Sequence, residues 1–135
     1  MNIEQLKKDL KVDEGFRDCV YQCSAGANTI GYGWNMDALP LSLDAADFIL
    51  EEHIFATLDE CAKLPWFTRL SHNRQNIIIN MVFNMGMGRF LGFKNMIQAL
   101  KDSRFNDAAL EMLDSKWARQ VGLRADRLSA EMREG

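Results

Sequence analysis

Cysteine is scarce in this 135-residue chain, with three in all: Cys19, Cys23 and Cys61. Three cannot all pair with one another, and no CxxC is present. Cys19 and Cys23 with a distant Cys61 make a poor frame for a metal. At positions i and i+4 of one strand, Cys19 and Cys23 stand too far apart for an unstrained bridge. Reduced thiols are the expectation. Long apolar runs are also missing. No stretch could span a bilayer, so no stable membrane insertion is expected. The opening residues, MNIEQLKKDLKVDEG, lack the apolar stretch of a secretory signal. That predicts a protein that stays in the cytoplasm where it is made, or leaves by a route that reads no signal peptide. Gly31-Tyr32-Gly33 lacks the third glycine and the βαβ setting of a dinucleotide site, and Asn106-Asp107-Ala108 is no glycosylation sequon. Lys and Arg do not cluster with interleaved aromatics, so nucleic acid is not an expected partner. No residue pattern points to a metal, haem or nucleotide, and no cofactor is expected. No internal repeat or low-complexity tract occurs.

What remains is ordinary for a soluble globular protein: 47% hydrophobic and 26% charged residues, enough for one compact domain with a core. The net charge of −3 is unevenly spread, −7 over residues 1–65 and +4 over residues 66–135. This reads either as two faces of opposite preference or as ordinary solvated surface.

Ile3, Leu6 and Leu10 recur at helical spacing and predict a helix over 2–13, capped by Asn2 and ended by Gly15. Glu14 then lies in its last turn. There the negative end of the helix dipole and partial burial would favour a protonated carboxyl, as a general acid needs. Val20 and Tyr21, a turn at Ser24-Ala25-Gly26, and Thr29 to Gly33 predict a hairpin over 18–33. Gly31 and Gly33 allow a close backbone approach or a bend. Residues 34–41 read as a loop with Pro40. Ser42 caps a long helix that ends before Pro65, with Ala46, Ile49, Leu50, His53, Ile54, Thr57, Leu58 and Cys61 on one stripe. A lone His on such a stripe is read as a core or cleft-edge residue. Residues 72–85, apolar nearly all round, predict a buried central helix ended by Gly86 and Gly88. Shorter helices are expected over about 92–101, 105–114, 115–121 and 124–133. The eight Met residues read as core filler.

A helix end followed by a tight hairpin can hold Glu14, Cys23 and Thr29 near one another, in the spacing Glu-x8-Cys-x5-Thr. With Asp13-Glu14-Gly15, Arg17, Tyr21 and Thr29-Ile30-Gly31-x-Gly33, this stretch resembles the active-site segment of the bacteriophage-type lysozymes, glycoside hydrolase family 24. The family pattern is Glu-x8-Asp-x5-Thr, with Cys replacing Asp in some endolysins. The resemblance continues through Asn80-Met81-Val82-Phe83-x-Met85-Gly86, Gly92-Phe93-x-Asn95, Ala108-Ala109, Ser115-x-Trp117 and Arg124-Ala125-x-Arg127. Residues 34–70 match poorly, and the chain is shorter there than the longer family members.

The resemblance implies an α+β, mostly α, lysozyme-like two-lobed fold in one domain, residues 1–135. A small lobe of about 14–60 would hold the hairpin and the linking helix. A helical lobe of about 61–135 would pack with helix 1–13. It implies a monomeric endolysin or muramidase acting on bacterial peptidoglycan, at the β-1,4 bond between N-acetylmuramic acid and N-acetylglucosamine. Such an enzyme waits in the host cytoplasm until a holin-like pore releases it. Glu14 would be the acid that protonates the leaving oxygen. Cys23 would be a thiolate base or nucleophile, leaving inversion or retention open. Thr29 would hold the attacking water. Arg124 matches the family's partner of the catalytic Glu. Trp34, Asn35, Phe83, Met96 and Glu111 fall at or near the family's saccharide-lining positions. The alternative is a cell-wall-binding or tail-associated module on the same fold, with weak or no catalysis.

Overall fold

The computed structural model describes all 135 residues. By their internal contacts they form two units, Met1–Phe48 and Ile49–Gly135. The fold is mostly helical with one small antiparallel sheet, the α+β class that the sequence implies.

The first unit opens with helix α1 (Ile3–Glu14). Asn2 caps it, its side-chain oxygen accepting from the Gln5 N–H at 3.0 Å, which satisfies one of the helix's orphan donors. Gly15 ends it at φ +69°, a conformation that costs glycine little. By its contacts α1 groups with the sheet in the first unit. No residue of α1 is buried, and Ile3, Leu6 and Leu10 are all exposed.

Strands β1 (Arg17–Gln22), β2 (Asn28–Gly31) and β3 (Trp34–Asn35) pair in the order β1-β2-β3. Tyr21 opposes Thr29 and Gln22 opposes Asn28, with an irregularity between Arg17 and Tyr21. The turn falls at the expected place: Gly26 N–H donates to Cys23 O at 2.8 Å, and Cys23 N–H to Ala27 O at 3.0 Å. Residues 34–41 are not all loop, because Trp34 pairs with Ile30 and Asn35 with Thr29 as a third strand. Local side-chain bonds secure this corner. Asn35 Oδ1 accepts from the N–H groups of Asp37 and Ala38 at 3.0 and 3.1 Å. Trp34 Nε1 donates to Leu39 O at 2.9 Å, and the Asp37 carboxylate accepts from Asn28 N–H at 2.9 Å. Such bonds leave no alternation in the sequence. Phe16 packs on Tyr32 at 5.4 Å between ring centroids, and the Arg17 guanidinium lies 4.4 Å from the Tyr21 ring. These contacts supplement a unit whose single buried residue is Thr29.

Helix α2 (Leu43–Ala62) begins in the first unit and ends in the second. Ser42 Oγ accepts from Ala45 N–H at 3.1 Å, as a cap should. Its expected apolar stripe is largely uncovered: Cys61 alone is buried, while Ile49, Leu50 and Ile54 are exposed.

The second unit continues through a 3₁₀ turn (Phe67–Arg69) into α3 (His72–Met85), α4 (Met87–Phe90), α5 (Lys94–Lys101), α6 (Phe105–Leu113), α7 (Lys116–Val121) and α8 (Leu123–Glu134). Helix α6 packs against α5 and α8, and α3 against α4 and α8. The core lies here: Ile77, Ile78, Met81, Phe90, Met96, Met112 and Met132 are all but inaccessible. Half of the methionines thus fill core, as their flexible side chains suit. Helix α3 is buried along one side only, since Phe83 is exposed. Gly86 ends it at φ +85°. Gly88, expected as a second stop, instead lies inside the short α4, which carries the buried Phe90.

Candidate functional site

Glu14 is the last residue of α1 and is exposed, not partly buried as expected. Its carboxylate nonetheless has a defined neighbour. Oε2 lies 2.7 Å from the position that a Cβ on Gly33 would occupy. The carboxylate therefore rests against bare glycine backbone at the β2–β3 turn.

Cys23 follows β1 and starts the turn into β2. Its thiol is pulled below the ordinary value of 9.0. Hydrogen bonds from the Ala27 and then the Ala25 backbone are the main cause; burial opposes them, and the Thr29 side chain adds to them. Hydrogen bonds to the charged form favour it, so the turn eases ionisation of the thiol. Thr29 is buried in β2 and donates from Oγ1 to Ala27 O at 2.9 Å. It carries one hydroxyl proton. Rotation about its C–O bond directs that proton to the Ala27 carbonyl or to the neighbouring sulfur. Cys19, four residues earlier, is exposed, and all three cysteines are free thiols.

The first unit thus carries Glu14, Cys23 and Thr29, together with Trp34 and Asn35. The last two are half-buried and committed to the β3 corner by the bonds described above.

The remaining candidates belong to the second unit and fall into two groups. Phe83 and Arg124 line an apolar groove of about 460 Å³ with Leu50, Ile54 and Ile79. Arg124 donates from Nη2 and Nε to Asn80 Oδ1, at 2.7 and 3.0 Å. Asn80 is a residue that the sequence did not single out for this task. Met96 and Glu111 lie in the wall of a larger cavity, about 940 Å³. Met96 is fully buried there and Glu111 half-buried. Trp117 Nε1 donates to Asn84 Oδ1 at 2.9 Å across the same cavity, and Phe93 meets the Trp117 ring edge-on at 6.4 Å. A concavity with aromatic walls and a few fixed polar groups suits a saccharide or peptide chain. No three His, Cys, Asp or Glu side chains gather as a metal site, and no helix is long and apolar enough to cross a membrane.

A carboxylate at the end of a helix and a free thiol in a hairpin turn thus lie in the one small unit that carries the sheet. The model of the phage lysozyme family matches residues 11–131, and the chain belongs to that family. The chain is similar to "Probable T4-type lysozyme 1" of Dictyostelium discoideum, 26% identical over 163 aligned residues that cover 98% of this chain and 96% of that protein. It is also similar to an "Endolysin" of Acyrthosiphon pisum secondary endosymbiont phage 1, 30% identical over 116 residues, 82% of this chain and 75% of that one. Family membership carries the general class, a lysozyme-type glycosidase, with peptidoglycan as its substrate.

Proposed function

We propose that this protein is a muramidase that cleaves the β-1,4 bond between N-acetylmuramic acid and N-acetylglucosamine. Its setting would be phage-induced lysis, with the enzyme held in the host cytoplasm until a holin-like pore releases it to the wall. The observation that carries the reading is the match of residues 11–131 to the phage lysozyme family, with Glu14, Cys23 and Thr29 together in the first unit at the spacing of that family's active-site segment. Cys23 stands where the family usually has Asp.

Glu14 gives its proton to the glycosidic oxygen as the C1–O bond breaks. The Cys23 thiolate acts on the other side of the reaction. It either attacks C1 and is later displaced by water, or takes a proton from a water that Thr29 orients. The anomeric configuration of the product separates these routes: retention for attack, inversion for activation of water.

The test is release of reducing ends from purified peptidoglycan by the wild type, Glu14→Gln and Cys23→Ser. The wild type is expected to be active and Glu14→Gln inactive, with Cys23→Ser reduced by about 100-fold or more, as loss of a positioned acid–base group costs. A folded wild type no more active than Glu14→Gln would overturn the enzyme reading in favour of a wall-binding module.

A further inference from the structure

We propose that Gly33 is a positioning residue for Glu14, its missing side chain forming the seat of the catalytic carboxyl. The inference rests on the reading of Glu14 as the acid. Gly33 has φ +74°, and a Cβ there would meet Glu14 Oε2 at 2.7 Å, Cδ at 3.1 Å and Cγ at 3.4 Å. Contacts under about 3 Å are well inside the 3.5–4.0 Å optimum for such atoms. Any side chain at Gly33 must therefore displace the carboxylate.

The seat is itself fixed. Gly33 lies in the turn between β2 and β3, directly before Trp34, which pairs across to Ile30. The Asn35 and Trp34 side-chain bonds hold the far side of β3. The sheet thus carries the Gly33 backbone to a defined place, and Glu14 rests on it at the very end of α1.

Gly31 supplies an internal control. It sits two residues earlier at φ +68°, but a Cβ there meets nothing within 4 Å. An alanine at either position takes on the same left-handed strain. Only the one at position 33 touches Glu14.

Restoring normal contact requires the carboxylate to move by roughly 1 Å, and a misplacement of that size costs on the order of 100-fold in rate. Gly31→Ala, Gly33→Ala and Glu14→Gln are made in the full chain. Each is assayed for kcat and KM on soluble peptidoglycan fragments, with stability read by denaturant titration. Gly31→Ala and Gly33→Ala are expected to lose similar stability. Gly33→Ala should lose about 100-fold in kcat with KM held, while Gly31→Ala keeps kcat within a few-fold. Equal kcat for the two glycine variants, with Glu14→Gln inactive, overturns the positioning role alone. A wild type no better than Glu14→Gln overturns both readings. A Gly33→Ala protein that does not fold leaves a direct measurement on the wild type. A nuclear Overhauser contact between Gly33 Hα and Glu14 Hγ is expected, and its absence overturns the seat.

Discussion

Replacing Thr29 by Val keeps the shape of a buried β2 residue and removes one hydroxyl. Two consequences follow from the geometry. The bond from Oγ1 to Ala27 O, 2.9 Å long, is lost. A typical intramolecular hydrogen bond contributes about 0.5–1.5 kcal/mol net. Ala27 is only half-buried, so its carbonyl recovers water, and about 1 kcal/mol is the expected cost to the hairpin. That corresponds to roughly fivefold faster amide exchange over residues 28–31. The second consequence belongs to the other rotamer, in which the one hydroxyl proton turns to the sulfur: there Cys23 loses its side-chain donor but keeps the larger backbone bonds from Ala27 and Ala25. Its ionisation should move up toward 9.0 without reaching it. The assay is the pH dependence of iodoacetamide labelling in a Cys19→Ser background, where the buried Cys61 stays unreactive. Activity on peptidoglycan should fall on the order of 100-fold, as when one positioned hydrogen-bonding group is removed from an active site. A Thr29→Val protein with an unmoved labelling midpoint and wild-type activity would refute the link between hydroxyl, thiol and chemistry.

Two other substitutions or conditions probe the second unit. Phe90 is fully buried between Trp66 and Phe93, each 6.3 Å away between centroids. Phe90→Ala should cost about 3–5 kcal/mol, read by denaturant titration; a loss below about 1 kcal/mol would contradict its place in the core. The Cys61 thiol is pushed up to about 11, first by burial and then by the charge of Glu60. A thiol that resists ionisation when folded favours the fold below its ordinary value of 9.0. Stability should therefore fall between pH 9 and pH 11, and Cys61→Ala should flatten that part of the stability–pH curve.

Much of this was legible because it was local. Asn2, Gly15 and Ser42 mark helix ends by bonds within four residues, so the sequence shows them directly. The Glu14, Cys23 and Thr29 spacing is equally local, spanning one helix end and one hairpin. What was not legible is held together across distance or by unpatterned bonds. Arg124 and Asn80 are 44 residues apart, and Trp117 and Asn84 are 33 apart. Neither pair leaves a periodic trace. The two-residue strand at Trp34–Asn35 is too short to alternate. The contact between Glu14 and Gly33 is signalled by a glycine, a residue with many other uses. The periodicity of α2 misled in the opposite direction: its stripe is genuine in sequence, yet most of it meets solvent.

The buried apolar side chains begin at Cys61. Before it, from Met1 to Phe48, only Thr29 is hidden, and the aromatic and cation contacts of Phe16, Tyr21 and Tyr32 lie near the surface. The proposed chemistry therefore sits on the segment with the least buried surface to lose by opening. Elements of that kind populate the low end of a protein's ladder of local unfolding. On heating, the hairpin should open while the methionine-filled helices still hold, so that the enzyme falls silent before most of its helix has melted.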